Sequence, residues 1–183
     1  RDLFPTIMEL GQILLQAAYL DASGNLKTAA IGIYVAMFLN CSDPMTRQAI
    51  LGQLMRHVSG PSSQEAHGAL LAFDKLVSKY APMMEPFASY LQGLIDFMDG
   101  SRLDNTQLLQ VYFIFTRLGF PQGALSCNQK ETKSAQFLLM LIQKQMFNPE
   151  TRYQKMGALG SIALICVLGS PLPGEVTEDQ LVN

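Results

Sequence analysis

The sequence is poor in the residues from which most catalytic centres are built. It holds two histidines, His57 and His67, and three cysteines, Cys41, Cys127 and Cys166, in 183 residues. Cys-x-x-Cys, His-Glu-x-x-His, Gly-x-Ser-x-Gly and Walker-type patterns are absent, so zinc, nucleophile-elbow and phosphate-loop chemistries lack their residues. The cysteines are odd in number and far apart, which argues against a disulfide framework. Cys41 and Cys166 lie in apolar stretches and read as small core residues of a reducing compartment. An excess of positive charge is also missing. Thirteen Lys plus Arg stand against fifteen Asp plus Glu, a net charge of −2, so the whole chain lacks the electrostatic footprint of a dedicated nucleic-acid module. Long apolar runs are missing too. The two most apolar stretches, Thr28 to Ser42 and Met156 to Gly169, end at about fifteen residues, short of the roughly twenty that span a bilayer. They predict buried inner helices. The opening Arg1-Asp-Leu-Phe-Pro-Thr has no basic-then-apolar leader pattern.

What is present is recurrence. Amphipathic helical hairpins begin near Leu3, Asp43 and Pro82, about forty residues apart, the period of HEAT or armadillo-type solenoids. With 49% hydrophobic residues there is material for one continuous core. The expected architecture is all-α, a HEAT-like solenoid of about four antiparallel hairpins over residues 1–169, stacked in chain order. The spacing predicts helices over about 6–18 and 25–39, separated by Asp21-Ala-Ser-Gly24. Thr6 and Glu9 have capping-box spacing, as do Ser62 and Glu65. Asp43-Pro44 supplies an acceptor cap followed by a proline that fits the first turn. Ala66, Ala69, Leu70, Phe73, Leu76, Val77 and Tyr80 form one core stripe. After Pro82 a helix places Phe87, Tyr90, Leu91, Leu94, Ile95 and Met98 on one side. Asp104 or Asn105 caps the next, which is apolar on most sides and so sandwiched. Residues 120–134 read as a mobile loop. Helices resume over about 135–147 and, after an Asn148-Pro149 cap, over about 150–168. Residues 170–183 read as a polar tail or the start of a further helix, and both ends suggest a piece of something longer.

Chemistry is sparse. A Cys41–His57 dyad and an Asp96–Asp99 acid–base pair are conceivable, but a cysteine ending an apolar helix usually packs, and polar helix faces usually face water. His57, beside Arg56, reads as solvated surface. Gly157 and Gly160 on an apolar helix predict close approach of a neighbouring helix. Most of the ten methionines read as core filler, although Met83-Met84 offers an adaptable surface. Between Lys130 and Lys155, five cations (Lys130, Lys133, Lys144, Arg152, Lys155) face only Glu131 and Glu150, a local excess of +3. Such a ridge can track a phosphate backbone without reading bases, and Lys144, Arg152 and Lys155 are its candidates. An ordinary solvated hairpin end is the competing reading.

Three blocks carry a family likeness: Gln48-Ala-Ile-Leu-Gly52-Gln-Leu54-Met-Arg-His57-Val-Ser-Gly60, Met83-Met84 through Gly93-Leu-Ile-Asp96-Phe-Met-Asp99, and Tyr153-Gln-Lys155-Met-Gly157-Ala-Leu-Gly160. Their order and spacing, over roughly residues 44–169, resemble a middle stretch of the Fanconi anaemia group D-two family more than its group I paralogue. The resemblance implies a non-enzymatic nuclear scaffold of helical repeats without cofactor. It also implies pairing with the group I paralogue, monoubiquitination at a lysine upstream of this stretch, and closure as a clamp on double-stranded DNA in interstrand crosslink repair. A HEAT segment of a transport receptor or of a chromosome-organising complex is the alternative within the scaffold class. A small helical hydrolase is the alternative outside it.

Overall fold

The computed structural model describes residues 3–99, 103–121 and 132–169. Among them the chain is all-helical, with nine α-helices and no strand. Helix α1 (Phe4–Gln16) starts two residues before the expected Thr6, because Pro5 fits the first turn, and no side chain caps it. A 3-10 turn over Ala17–Leu20 follows. Gly24 then adopts φ +74°, the left-handed conformation that glycine reaches without strain, and the chain turns into α2 (Asn25–Asn40). Asp21 fastens this turn by accepting from the Ser23 and Leu26 amides at 2.9 and 2.8 Å. The Ser23 hydroxyl, first, and the Leu26 amide hold its carboxyl below the usual carboxylate range.

Helix α3 (Pro44–Val58) is capped as expected, Asp43 accepting from the Thr46 amide at 2.7 Å. Ser62 caps α4 (Ser63–Met84), though at 3.4 Å, and Glu65 does not complete a capping box. The stripe predicted on α4 is buried from Ala66 to Val77. The helix kinks at Tyr80 (φ −133°, ψ 34°), just before Pro82, whose ring lacks an N–H and clashes with the preceding turn. The single helix expected after Pro82 is broken into a 3-10 turn (Glu85–Phe87), α5 (Ala88–Leu91) and α6 (Leu94–Asp99). Pro86 and Gly93 interrupt it. Phe87, Leu91, Leu94 and Met98 nevertheless reach the core.

A full capping box starts α7 (Asn105–Gly119): Asp104 accepts from the Gln107 amide at 2.9 Å, and the Gln107 side chain accepts from the Asp104 amide at 3.0 Å. Helix α8 (Lys133–Met146) begins two residues before the expected Ala135, because Thr132 accepts from the Ala135 amide at 3.1 Å while donating to the Gly119 carbonyl at 2.9 Å. One hydroxyl thus ties the end of α7 to the start of α8. Helix α9 (Thr151–Leu168) follows Glu150, and Asn148 is not its cap; its side chain accepts from the Glu150 amide within the turn. The loop expected to be mobile lies mostly outside the described residues, as do Cys127 and residues 170–183.

Helices pair in sequence, α1 on α2, α3 on α4 and α8 on α9, and the second member of each pair packs on the next: α2 on α4, α4 on α7, α7 on α9. No helix of the first pair is in extended contact with one of the last. Gly157 lies against Met146 and Gly160 against Ile142, so α8 and α9 are antiparallel. His67 meets Gln110 and Asp74 meets Arg117 at one common offset of 43 residues, so α4 and α7 run parallel. The core runs through the pairs along Tyr34, Phe38, Leu54, Phe73, Tyr112 and Phe115. Helix α7 is sandwiched, as its sequence predicts. Helix α9 is not buried all round: Ile165 is 70% exposed, and Ile162 and Cys166 are exposed as well. Its apolar run has one neighbouring side among the described residues, against α7 and α8. Among the described residues, no helix is long and apolar enough to cross a membrane.

Candidate functional site

The three predicted phosphate ligands fall on the last helical pair. Lys144 is exposed on α8 and Lys155 is exposed on α9, and neither makes an ion pair among the described residues. Arg152 differs from them. Its Nη2 donates to the Met98 carbonyl at 3.0 Å and to the Asp99 carbonyl at 2.6 Å. These carbonyls lie at the end of α6, where a cation complements the helix dipole. Arg152 is therefore a helix clamp first, and Lys144 and Lys155 are the two uncommitted cations of the trio.

A second centre has no counterpart among the sequence-based expectations. His57, expected on the solvated surface, is 2% exposed in the last turn of α3. Its Nδ1 lies 2.5 Å from Glu65 Oε1 of α4, and its Nε2 lies 2.8 Å from the hydroxyl of Tyr34 of α2, which is fully buried. Gln53, one turn earlier on α3, places its amide nitrogen 3.4 Å from His57 Nε2 and donates to Gln12 Oε1 of α1 at 3.0 Å. Arg56 donates to Gln53 Oε1. Four helices thus meet in one hydrogen-bonded chain. Burial, reinforced by the Glu65 charge, raises the Tyr34 phenol well above its ordinary range, so it remains a hydroxyl. Beside the chain opens a cleft of about 430 Å³, lined by Gln12, Gln16, Gln53, Arg56, His57 and Glu65 among others.

Two signals for this centre are present in the sequence. Gln53 and His57 interleave with Ile50, Leu54 and Val58 on the apolar face of α3, where polar residues need buried partners. Capping-box spacing assigns Glu65 to its own helix start, and that local pattern hides the nearer partner in space. The hydroxyl–imidazole–carboxylate order is that of a nucleophilic triad. A fully buried Tyr34 hydroxyl presents nothing to a substrate, so the arrangement is structural.

The other candidates do not assemble. Cys41 follows α2 ahead of the N-terminus of α3, whereas His57 closes that helix, about 20 Å along its axis at 1.5 Å per residue. Asp96 and Asp99 are exposed on α6. Among the described residues, no group of three or more His, Cys, Asp or Glu side chains lies together so as to hold a metal ion. Met84 is buried, as core filler would be.

A different kind of joint holds the last pairs together. A Cβ on Gly160 would sit 2.7 Å from Ile142 Cγ1 and 2.9 Å from the Tyr112 ring, and one on Gly157 would sit 2.9 Å from the Met146 backbone nitrogen. The close approach predicted for these glycines is therefore real. Tyr112, its phenol also raised by burial, donates to Gln145 Oε1 at 2.5 Å across the same joint. Asp74 pairs with Arg117 between α4 and α7, and its carboxyl is raised because burial outweighs the guanidinium.

Comparison with known proteins gives one consistent result. A family model described as "Fanconi anaemia protein FancD2 nuclease" matches residues 1–182. The rat and mouse proteins named "Fanconi anemia group D2 protein homolog" are each 22% identical over 168 residues, 92% of this chain. The chicken "Fanconi anemia group D2 protein" is 22% identical over 165 residues, 90% of this chain. In each case the chain spans 11% of the relative's length.

Proposed function

The chain belongs to the FancD2 family, and from that premise we propose that it is a non-enzymatic, HEAT-like scaffold stretch of a nuclear Fanconi anaemia DNA-repair protein. The observation that carries the reading is the consecutive packing of second helices, α2 on α4 on α7 on α9, with the first and last pairs held apart. That is the arithmetic of a repeat stack, in which each unit buries its apolar face on its neighbours. Exposed apolar positions support it. Among the described residues, Leu3, Ile7, Leu10 and Ile13 on or beside α1, and Ile162 and Ile165 on α9, are exposed on the first and last pairs, whereas the helices between them expose fewer large apolar side chains, Met45 and Tyr90.

For the longer protein the proposal is pairing with the group I paralogue, ubiquitin carried on a lysine outside this stretch, and enclosure of double-stranded DNA. Within the clamp, Lys144 and Lys155 would meet phosphates, and Arg152 would hold α6 against α9.

The test is to titrate the heterodimer with unrelated duplexes at several salt concentrations. Lys144→Ala with Lys155→Ala should weaken every duplex about equally and lower the log–log salt slope by up to about 0.9 for each phosphate no longer neutralised. Arg152→Ala should change stability more than slope. An unchanged slope and affinity in the lysine double variant would remove this pair of helices from the DNA path.

A further inference from the structure

Helix α8 has two unlike faces. Ala135, Leu138, Ile142 and Gln145 are buried on the side that meets α7 and α9. On the opposite side Lys133, Met140, Lys144 and Phe147 recur at spacings of seven, four and three residues, which sets them in one stripe along the helix. Phe147 keeps that register, because its amide still donates to the Gln143 carbonyl at 3.2 Å. Met140 is 60% exposed, and Phe147, at 82%, is the most exposed large apolar side chain among the described residues.

The stripe is mixed, and the mixture restricts what can cover it. Helix α8 carries no Asp or Glu, and neither Lys133 nor Lys144 pairs with a carboxylate among the described residues. A helix laid here on apolar contacts alone would trap two ammonium groups without a counter-charge, which is costly. A phosphate backbone would answer the lysines and leave Met140 and Phe147 wetted, since phosphate contacts call for cations and polar donors. A partner that meets both demands sets carboxylates beside apolar side chains. Met140 and Phe147 stand about two helical turns apart, roughly 10 Å along the axis, so the matching partner is a helix with apolar residues at the same interval.

We propose that the outer face of α8 docks an acidic amphipathic helix of a partner protein. Met140 and Phe147 are its anchors, and Lys133 and Lys144 fix its register and direction. Gln136 and Gln143, exposed along one flank of the stripe, offer hydrogen bonds at the rim. This goes beyond the DNA reading and does not depend on it, because a duplex uses Lys144 without the apolar pair and the acidic helix uses both.

Fluorescence anisotropy of the full chain with two labelled, alanine-based helical peptides of about twenty residues tests the docking. One peptide carries leucines seven residues apart with glutamates three and four residues from them, and the other has lysines in place of the glutamates. The acidic peptide should bind at least about tenfold more tightly than the basic one and weaken as salt rises. Phe147→Ser should weaken it roughly ten- to hundredfold, the range that follows from withdrawing one aromatic from a buried contact. In the heterodimer the same variant should leave duplex affinity unchanged, whatever the lysine double variant does there. Lys133→Glu with Lys144→Glu should exchange the preference, so that the basic peptide binds more tightly, a gain that a misfolded chain cannot show. Equal binding of the two peptides, binding of neither, or a Phe147→Ser loss that falls on the duplex and spares the acidic peptide would overturn the proposal.

Discussion

The joint between the first two helical pairs and the joint around α9 solve the same packing problem with opposite means. Around α9 the contact is made by removing side chains: Gly157 and Gly160 bring the backbone against Met146, Ile142 and Tyr112. Between α1, α2, α3 and α4 it is made by burying polar groups, with Gln12, Tyr34, Gln53, His57 and Glu65 satisfying one another. Close packing is sensitive to volume and indifferent to pH. The polar joint fails when one hydrogen-bonding partner is removed.

The largest effect should come from adding volume at the close-packed joint. Gly157→Leu is expected to cost at least about 3 kcal/mol, above Gly160→Leu, because backbone blocks the first position and movable side chains block the second. Thermal melts of both variants that overlay the parent would show the glycines to be incidental. At the polar joint, Glu65→Ala strands a buried imidazole and should cost about 1–3 kcal/mol, most of it recovered when His57 is replaced as well. Additive losses in that double-mutant cycle would deny the coupling. Outside either joint, Asp43→Ala should lower stability modestly at neutral pH. The Thr46 hydroxyl, first, and the Thr46 amide hold the Asp43 carboxyl below its ordinary range. Its contribution is therefore present above the unfolded-state pKa near 3.9 and is lost as pH falls through the lower folded-state value. Parent and variant melts should converge there, and a constant gap at acid pH would contradict the assignment. Least of all, Gly32→Ala in α2, where an added Cβ meets nothing within 4 Å, should stabilise by about 0.5–1 kcal/mol. Any drop in its melting temperature would show hidden crowding.

The same contrast explains what can be read in advance. Glycines in an uncharged run signal their own purpose, because nothing else rationalises them in a helix interior. The caps at Asp43 and Asp104 and the stripe of α4 are legible for a similar reason, each being a local pattern with a local cause. Gln53, His57 and Glu65 are not, because a polar residue is assigned to water until its partner is known, and their partners on other helices lie 8 to 41 residues away. Arg152 looks like one of three equivalent cations for that reason too; its carbonyl ligands are more than fifty residues upstream. The break of the third pair is visible in Pro86 and Gly93, yet the apolar spacing across them suggests continuity.

The most direct test of the stack is a distance between spin labels at two exposed positions, Thr28 on α2 and Ala158 on α9. The two helices are separated by α4 and α7, so three helix spacings of 8–10 Å place the labelled backbones roughly 25–30 Å apart. A distribution centred in that range is the predicted result. A distance of about 10 Å, with α2 packed on α9, would mean a closed bundle and would contradict the repeat-stack account.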